Sequence, residues 1–178
     1  METTIFDTAL GLFGVGWTNA GLARVQLPGL ERAALADRIN RDGATPGEPP
    51  RSIAALIDQI EDYADGEAVS FSATTLDLSR VPDFHRKAYL ALLACGWGEI
   101  TSYGALARTL GDVTLSRAVG QAMGANPMPL VIPCHRVLAS NGKAGGFSAP
   151  GGADAKIRML ALEGVSIGVP AGQMAFGF

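Results

Sequence analysis

The stretch YGALARTLGDVTLSRAVGQAMG (residues 103–124) decides the fold of the C-terminal half. Two short runs of helical periodicity flank GDVT (111–114). Thr101 or Ser102 stands where a first helix needs its N-cap, and Gly111 where a C′ glycine ends it. Thr114 is placed to cap the second helix. Two helices joined by so short a turn form the helix-turn-helix pattern, which many helix pairs share without touching DNA. The second helix carries more information. It holds Ala118, Gly120, Ala122 and Gly124, and a glycine inside a helix costs about 1 kcal/mol relative to alanine. Two of them imply a face that something approaches closely, either another helix or a nucleic-acid groove. Arg117 stands early in the same helix; on composition alone it is an ordinary surface cation.

Further along the chain, NPMP (126–129) reads as a stiff turn and LVIP (130–133) as an apolar extended segment. Pro133 bars a helix and biases Ile132 toward extended geometry, so Cys134 is delivered to a fixed place. A zinc site would need about four N or S ligands. The chain offers Cys95, Cys134, His85 and His135, in no common zinc spacing, so no metal is expected. An inert buried thiol fits Cys95, at the end of a helix running from Pro82-Asp83 through Cys95. It fits Cys134 less well, because His135 and Arg136 favour a thiolate. Glu163 ends the helical run ADAKIRMLALEG (153–164), which Gly164 stops. A carboxylate there opposes the helix dipole by about 0.3–1 kcal/mol, which hints at a second use such as orienting a histidine. Cys, His and carboxylate together follow the logic of a thiol-hydrolase triad. A hydrolase and a DNA-acting transferase both remain open on these residues.

The N-terminal half alternates extended runs with helix patterns. IFDTAL (5–10), LFGVGW (12–17) and GLARVQL (21–27) predict strands, with a turn at TNAG (18–21). Glu31 to Asn40 predicts a short helix and 43–50 a loop. Ser52 is placed to cap a helix whose apolar face is Ile53, Leu56, Ile57 and Ile60. VSFSATTLDL (69–78) alternates and predicts another strand. The fold class is therefore α+β: a small α/β domain over 1–79 and a helix-turn-helix domain over 80–178. "GLFGVG" lacks the Lys-Ser/Thr of a phosphate loop.

At 178 residues and 48% hydrophobic, the chain has ample core and is too apolar for disorder. No apolar run has the length to span a bilayer, and METTIFDTALG lacks the basic region of a secretion signal. With two cysteines there is no disulfide framework; a reducing cytoplasm is expected. The net charge of −3 argues against nucleic acid until it is divided. Residues 1–79 carry five arginines against 12 acids, and residues 80–178 nine Lys or Arg against five acids. A basic working half joined to an acidic one is the expectation.

Together these residues resemble the O6-alkylguanine-DNA alkyltransferases (methylated-DNA–protein-cysteine methyltransferases). The resemblance spans roughly residues 82–164: ITSYGALA, SRAVGQAMGANP, VIPCHRV, GFS and ALEG, in that family's order. It implies an RNase H-like N-terminal domain and a winged-helix-like C-terminal one. It also implies DNA repair by irreversible, single-turnover transfer of the alkyl group from O6-alkylguanine to Cys134, with O4-alkylthymine a further candidate substrate. His135 would take the thiol proton through a water, and Glu163 would orient His135. Tyr103 would hydrogen-bond N3 of the flipped base, and Asn126 would brace the active-site turn. Arg117 would fill the vacated stack, on a helix lying in the minor groove with Ala118 and Gly120 against the DNA. Arg136 belongs to the same substrate-binding set. The carbonyls of Cys134 and Val137 would accept from the base's exocyclic amine, and the Ser148 amide would face O6. The implied partner is double-stranded DNA carrying the lesion. No cofactor, no membrane and a monomer are implied.

This chemistry is coherent, because a methyl on a stacked guanine is reachable only once the nucleotide is extruded. A related class binds alkylated DNA without repairing it and carries another residue at the cysteine position; Cys134 argues against that reading. A thiol hydrolase would use Cys134, His135 and Glu163 but leaves Tyr103 and Arg117 idle. The sequence departs from the family in a somewhat longer APGGADA (149–155) and in Phe147 and Gln121. The N-terminal half has no cysteine, so it cannot build the zinc site of some relatives. VSIGVPAGQMAFGF (165–178) matches nothing.

Overall fold

The computed structural model describes residues 1–167; most of the unmatched tail lies outside the described residues. Strands β1 (Glu2–Thr8), β2 (Gly11–Thr18) and β3 (Gly21–Gln26) form an antiparallel meander. A two-residue strand, β4 (Thr45–Pro46), joins β1 in parallel, giving the order β3-β2-β1-β4. The first strand therefore begins earlier than IFDTAL, and the loop expected over 43–50 contains an edge strand. Helix α1 (Arg32–Ile39) buries Leu35 and Ile39 against the sheet. Helix α2 (Arg51–Ala64) buries Ile53, Leu56, Ile60 and Tyr63 on one face. Its N-cap is Pro50, with no side-chain cap, so Ser52 does not cap it. Pro50, its φ fixed at about −65° by the ring, already leads the chain in two residues sooner.

The strand predicted over 69–78 does not form. Only Leu76 bridges, to Leu22 of β3, while Thr74 folds back onto the Phe71 carbonyl. The pattern alternates because one side of this loop lies on the core, yet its turn breaks any ladder. Gly21 makes the approach possible: a Cβ there would stand 2.4 Å from the Thr75 oxygen.

In the C-terminal half, α3 (Asp83–Leu92) stops short of Cys95. Strand β5 (Thr101–Ser102) leads into α4 (Tyr103–Thr109), whose N-cap is Ser102, accepting from the Ala105 amide. Gly111 follows with φ 119°, the left-handed residue that ends the helix. Helix α5 (Ser116–Gly124) completes the pair. Its entry is a short 3₁₀ turn capped by Asp112, which accepts from the Thr114 amide, so Thr114 is capped rather than capping. Strand β6 (Val137–Leu138) pairs in parallel with β5, and α6 (Gly152–Leu162) closes the chain. The core runs unbroken from Val15, Leu22 and Ile60 to Tyr89, Leu106, Val119 and Ile132. The whole is a mixed α/β fold in which the helix pair and the Cys134 segment lean on one core.

Candidate active site

Asn126 fixes the turn that precedes the cysteine. Its Nδ2 donates to the Ile132 carbonyl at 2.9 Å and its Oδ1 accepts from the Met128 amide at 3.0 Å. Val25 of β3 donates to the Pro127 carbonyl, tying the turn to the sheet. LVIP is not extended throughout. Leu130 sits at φ 81° and the Ile132 amide returns to the Met128 carbonyl, so the segment is a tight reversal. A leucine in the left-handed region costs about 1–2 kcal/mol, which the bracing around it offsets. After Pro133 the chain makes one 3₁₀ turn, Cys134–Arg136, all buried.

Glu163, the C-cap of α6, gathers this turn. His135 Nε2 lies 2.7 Å from Oε1. Arg136 donates Nε to Oε2 at 2.8 Å and Nη2 to Oε1 at 3.0 Å, and also donates to the Cys95 carbonyl. The Gly98 amide and the Tyr63 hydroxyl complete the set at 3.3 and 3.2 Å. Burial alone would raise the Glu163 pKa. The hydrogen bonds and charges of His135 and Arg136 outweigh it and hold the group down at about 2. The carboxylate is thus ionised and accepts from the Nε2–H of His135. That leaves Nδ1 unprotonated, and it is a buried nitrogen with no hydrogen-bond partner among the described residues. Burial keeps His135 below the usual imidazole range, against the pull of Glu163. An imidazole held neutral, anchored on one nitrogen and open on the other, can act as a base.

Burial pushes the Cys134 thiol up; Asn126, the Lys156 ammonium and nearby backbone amides pull it down. Lys156 of α6 is fully buried, donates Nζ to the Val137 carbonyl at 2.6 Å, and lies 5.9 Å from the centre of the Tyr103 ring. Cys134, 4% exposed, lies between two cavities. One, of about 420 Å³, is lined by Tyr103, Gly120, Met123, Cys134, Phe147 and Ser148, among others. The other, of about 570 Å³, is lined by Tyr89, Asn126, Ser148 and arginines of the N-terminal half, among others.

The smaller cavity brings together Cys134, Tyr103, Gly120 and Ser148. Arg117 is exposed and Ala118 half-buried on α5, outside the cavity's lining. Arg136, expected in the substrate-binding set, lies outside the lining of the smaller cavity: 5% exposed, it donates to Glu163 and to the Cys95 carbonyl. The Val137 carbonyl already accepts from Lys156, and that of Cys134 from the Val137 amide, leaving each one further lone pair. Cys95 is half-exposed rather than buried, because α3 ends before it. Among the described residues no cluster of His, Cys, Asp or Glu could hold a metal ion, and no helix is long and apolar enough to cross a membrane.

Sequence reasoning missed Tyr63, Gly98 and Lys156. Lys156 had one signal, a cation on the side of α6 that also carries apolar Met159 and Leu160. Tyr63 had none, being a hundred residues from Glu163 along the chain.

Of the glycines of α5, Gly124 faces no neighbour: a Cβ there would meet nothing within 4 Å. One on Gly120 would meet only the ring of Tyr103, the first residue of α4, at 4.0 Å. Ala122 is buried, so it is the glycine side of the helix that is open.

A model of the 6-O-methylguanine DNA methyltransferase DNA-binding domain matches residues 83–165. The chain is 42% identical over 116 residues to a methylated-DNA–protein-cysteine methyltransferase of Mycolicibacterium paratuberculosis, covering 65% of this chain and 68% of that one. A protein of the same name from Methanothermobacter thermautotrophicus is 37% identical over 119 residues, 67% and 65% of the two chains. The structure of Mycobacterium tuberculosis OGT in complex with DNA superposes with a TM-score of 0.76 at 31% identity, over 92% of this chain and 93% of that one. The O6-methylguanine-DNA methyltransferase of Pyrococcus kodakaraensis gives 0.67 at 26% identity, over 92% and 99%.

Proposed function

We propose a reaction that follows from kinship, since this chain belongs to the methylated-DNA–protein-cysteine methyltransferase family. The protein is a DNA-repair alkyltransferase, and DNA is its partner. The finer assignments rest on the site's geometry. Residues 1–79 form the RNase H-like domain, and the winged-helix-like domain starts at 80; of its expected span to 178, residues 168–178 lie outside the described residues. The protein works as a monomer, and its two free thiols suit a reducing cytoplasm.

The observation that carries the reading is the single cavity uniting Cys134 with Tyr103 and Ser148 beside the open glycine face of α5. DNA lies along that face with its minor groove. The alkylated guanine turns out of the stack into the cavity, and Arg117, exposed on the same helix, takes its place. A water between Cys134 and the free Nδ1 of His135 carries the thiol proton to the imidazole, and Glu163 stabilises the imidazolium. The thiolate attacks the alkyl carbon, forming an S–C bond as the O6–C bond breaks. The electron pair passes to the guanine, stabilised by Tyr103 at N3 and the Ser148 amide at O6. The carbonyls of Cys134 and Val137 use their remaining lone pairs on the exocyclic amine. The thioether has no carbonyl for water to attack, so each molecule reacts once.

Intact mass after incubation with an O6-methylguanine oligonucleotide tests this. One added methyl, mapped to Cys134 and absent in Cys134→Ser, is expected. Binding without modification, or repeated turnover, would refute it. Arg117→Ala slows repair of duplex DNA more than reaction with the free base; equal slowing would remove Arg117 from the stack.

A further inference from the structure

We propose that Tyr63, from the N-terminal half, is a positioning residue of the transfer reaction: its hydroxyl shares Glu163 Oε1 with His135 and so tempers the base that deprotonates Cys134. The inference rests on the reading of Cys134 as alkyl acceptor.

The geometry is specific. Tyr63 is fully buried near the end of α2, its ring edge-on to Trp97 at 5.4 Å and tilted on Phe71 at 6.3 Å. That packing aims the hydroxyl at Glu163 Oε1. Three donors meet on that one oxygen: His135 Nε2 at 2.7 Å, Arg136 Nη2 at 3.0 Å and the Tyr63 hydroxyl at 3.2 Å. Burial, with the Glu163 charge beside it, raises Tyr63 far above the working range, so it is always a donor. Each donor draws on the negative charge the others feel. The more Tyr63 takes, the less Glu163 stabilises protonated His135, and the lower the pH at which His135 is free to act.

Other titratable groups also surround His135. Arg136 and Cys134 lie on its own turn, Lys156 and Glu163 on α6, and Cys95 just beyond α3. Tyr63 is the N-terminal half's donor to Glu163. A C-terminal half alone would carry the same Cys134, His135 and Glu163 but a more basic His135.

The pH dependence of the alkyl-transfer rate tests this, measured on the full chain with free O6-methylguanine so that DNA binding does not enter. Tyr63→Phe keeps the ring and its packing. We expect the acid limb of the profile to move up by roughly half a pH unit, so that at pH values below the midpoint transfer slows about threefold. Replacing Tyr63 by 3-fluorotyrosine, a stronger donor of nearly the same shape, moves the limb down, and it stands in should the phenylalanine variant fail to fold. A residue that only packs would change the rate evenly at every pH. An unmoved midpoint in both variants, with wild type transferring normally, overturns the role of Tyr63 and leaves the acceptor reading intact. A wild type that takes no methyl group overturns the acceptor reading itself.

Discussion

Replacing Glu163 by glutamine removes the one anion onto which His135, Arg136, Tyr63 and Gly98 converge. Glu163 falls from an ordinary 4.5 to about 2 in the fold. At about 1.36 kcal/mol per unit, that difference contributes roughly 3 kcal/mol at neutral pH. The folded value is the depressed one, so this stability is complete above pH 4.5 and is lost as pH falls toward 2. Glu163→Gln forgoes it and also leaves Arg136, its side chain 6% exposed, without a counter-ion, facing only neutral carbonyl acceptors. Removing one member of a buried pair costs about 3–5 kcal/mol. An exposed pair gives the contrast. Asp83, 87% exposed and paired with Arg86 within one helix turn, is worth less than about 1 kcal/mol. Urea unfolding at pH 7 should therefore separate Glu163→Gln from wild type by about 3–5 kcal/mol, and Asp83→Asn by under about 1. Between pH 5 and pH 3 the gap for Glu163→Gln should narrow by about 2 kcal/mol, as wild type loses what the variant never had. A Glu163→Gln variant no less stable than Asp83→Asn, or a gap independent of pH, would show that Glu163 is not the ionised hub.

Lys156→Met keeps the length of the side chain and removes the cation that pulls the Cys134 thiol down. The midpoint of Cys134 alkylation by iodoacetamide should move to higher pH and methyl transfer should slow; an unchanged midpoint would remove Lys156 from the site. Gly120→Ala adds a methyl that the fold accommodates, 4.0 Å from the Tyr103 ring. It should stabilise the protein by up to about 1 kcal/mol, raising the melting temperature by about 2–4 °C, while slowing repair of duplex DNA. A stabilised variant that repairs duplex DNA as fast as wild type would mean that nothing approaches this face.

Much of the site was legible because it is local. Ser102 reads as a cap because the helix start needs an acceptor within three residues, and the fold uses it so. Cys134 and His135 are neighbours, and Asn126 reaches its two backbone partners within six residues. Thr114 reads as the cap of α5, but the helix is entered through a 3₁₀ turn that the sequence pattern does not show, and the acceptor is Asp112, two residues earlier. Alternation over 69–78 predicted a strand because burial of one side produces the same period with or without a ladder. Arg136 read as a substrate contact because nothing in its neighbourhood reveals that Glu163 lies behind it.

By itself, then, the sequence determined the helix pair, the presence of a nucleophile beside an imidazole, and the two glycines inside α5, since each depends on side chains a few residues apart; that the glycine side is open was decided by packing. The tertiary structure decided which nitrogen of His135 is free, that Lys156 rather than Arg136 attends the thiol, and that Tyr63 reaches Glu163 across a hundred residues of chain. Those are questions of where charges and hydrogen bonds converge in a buried space, and only the packing of α2, α6 and the cysteine turn on one core brings their members within reach.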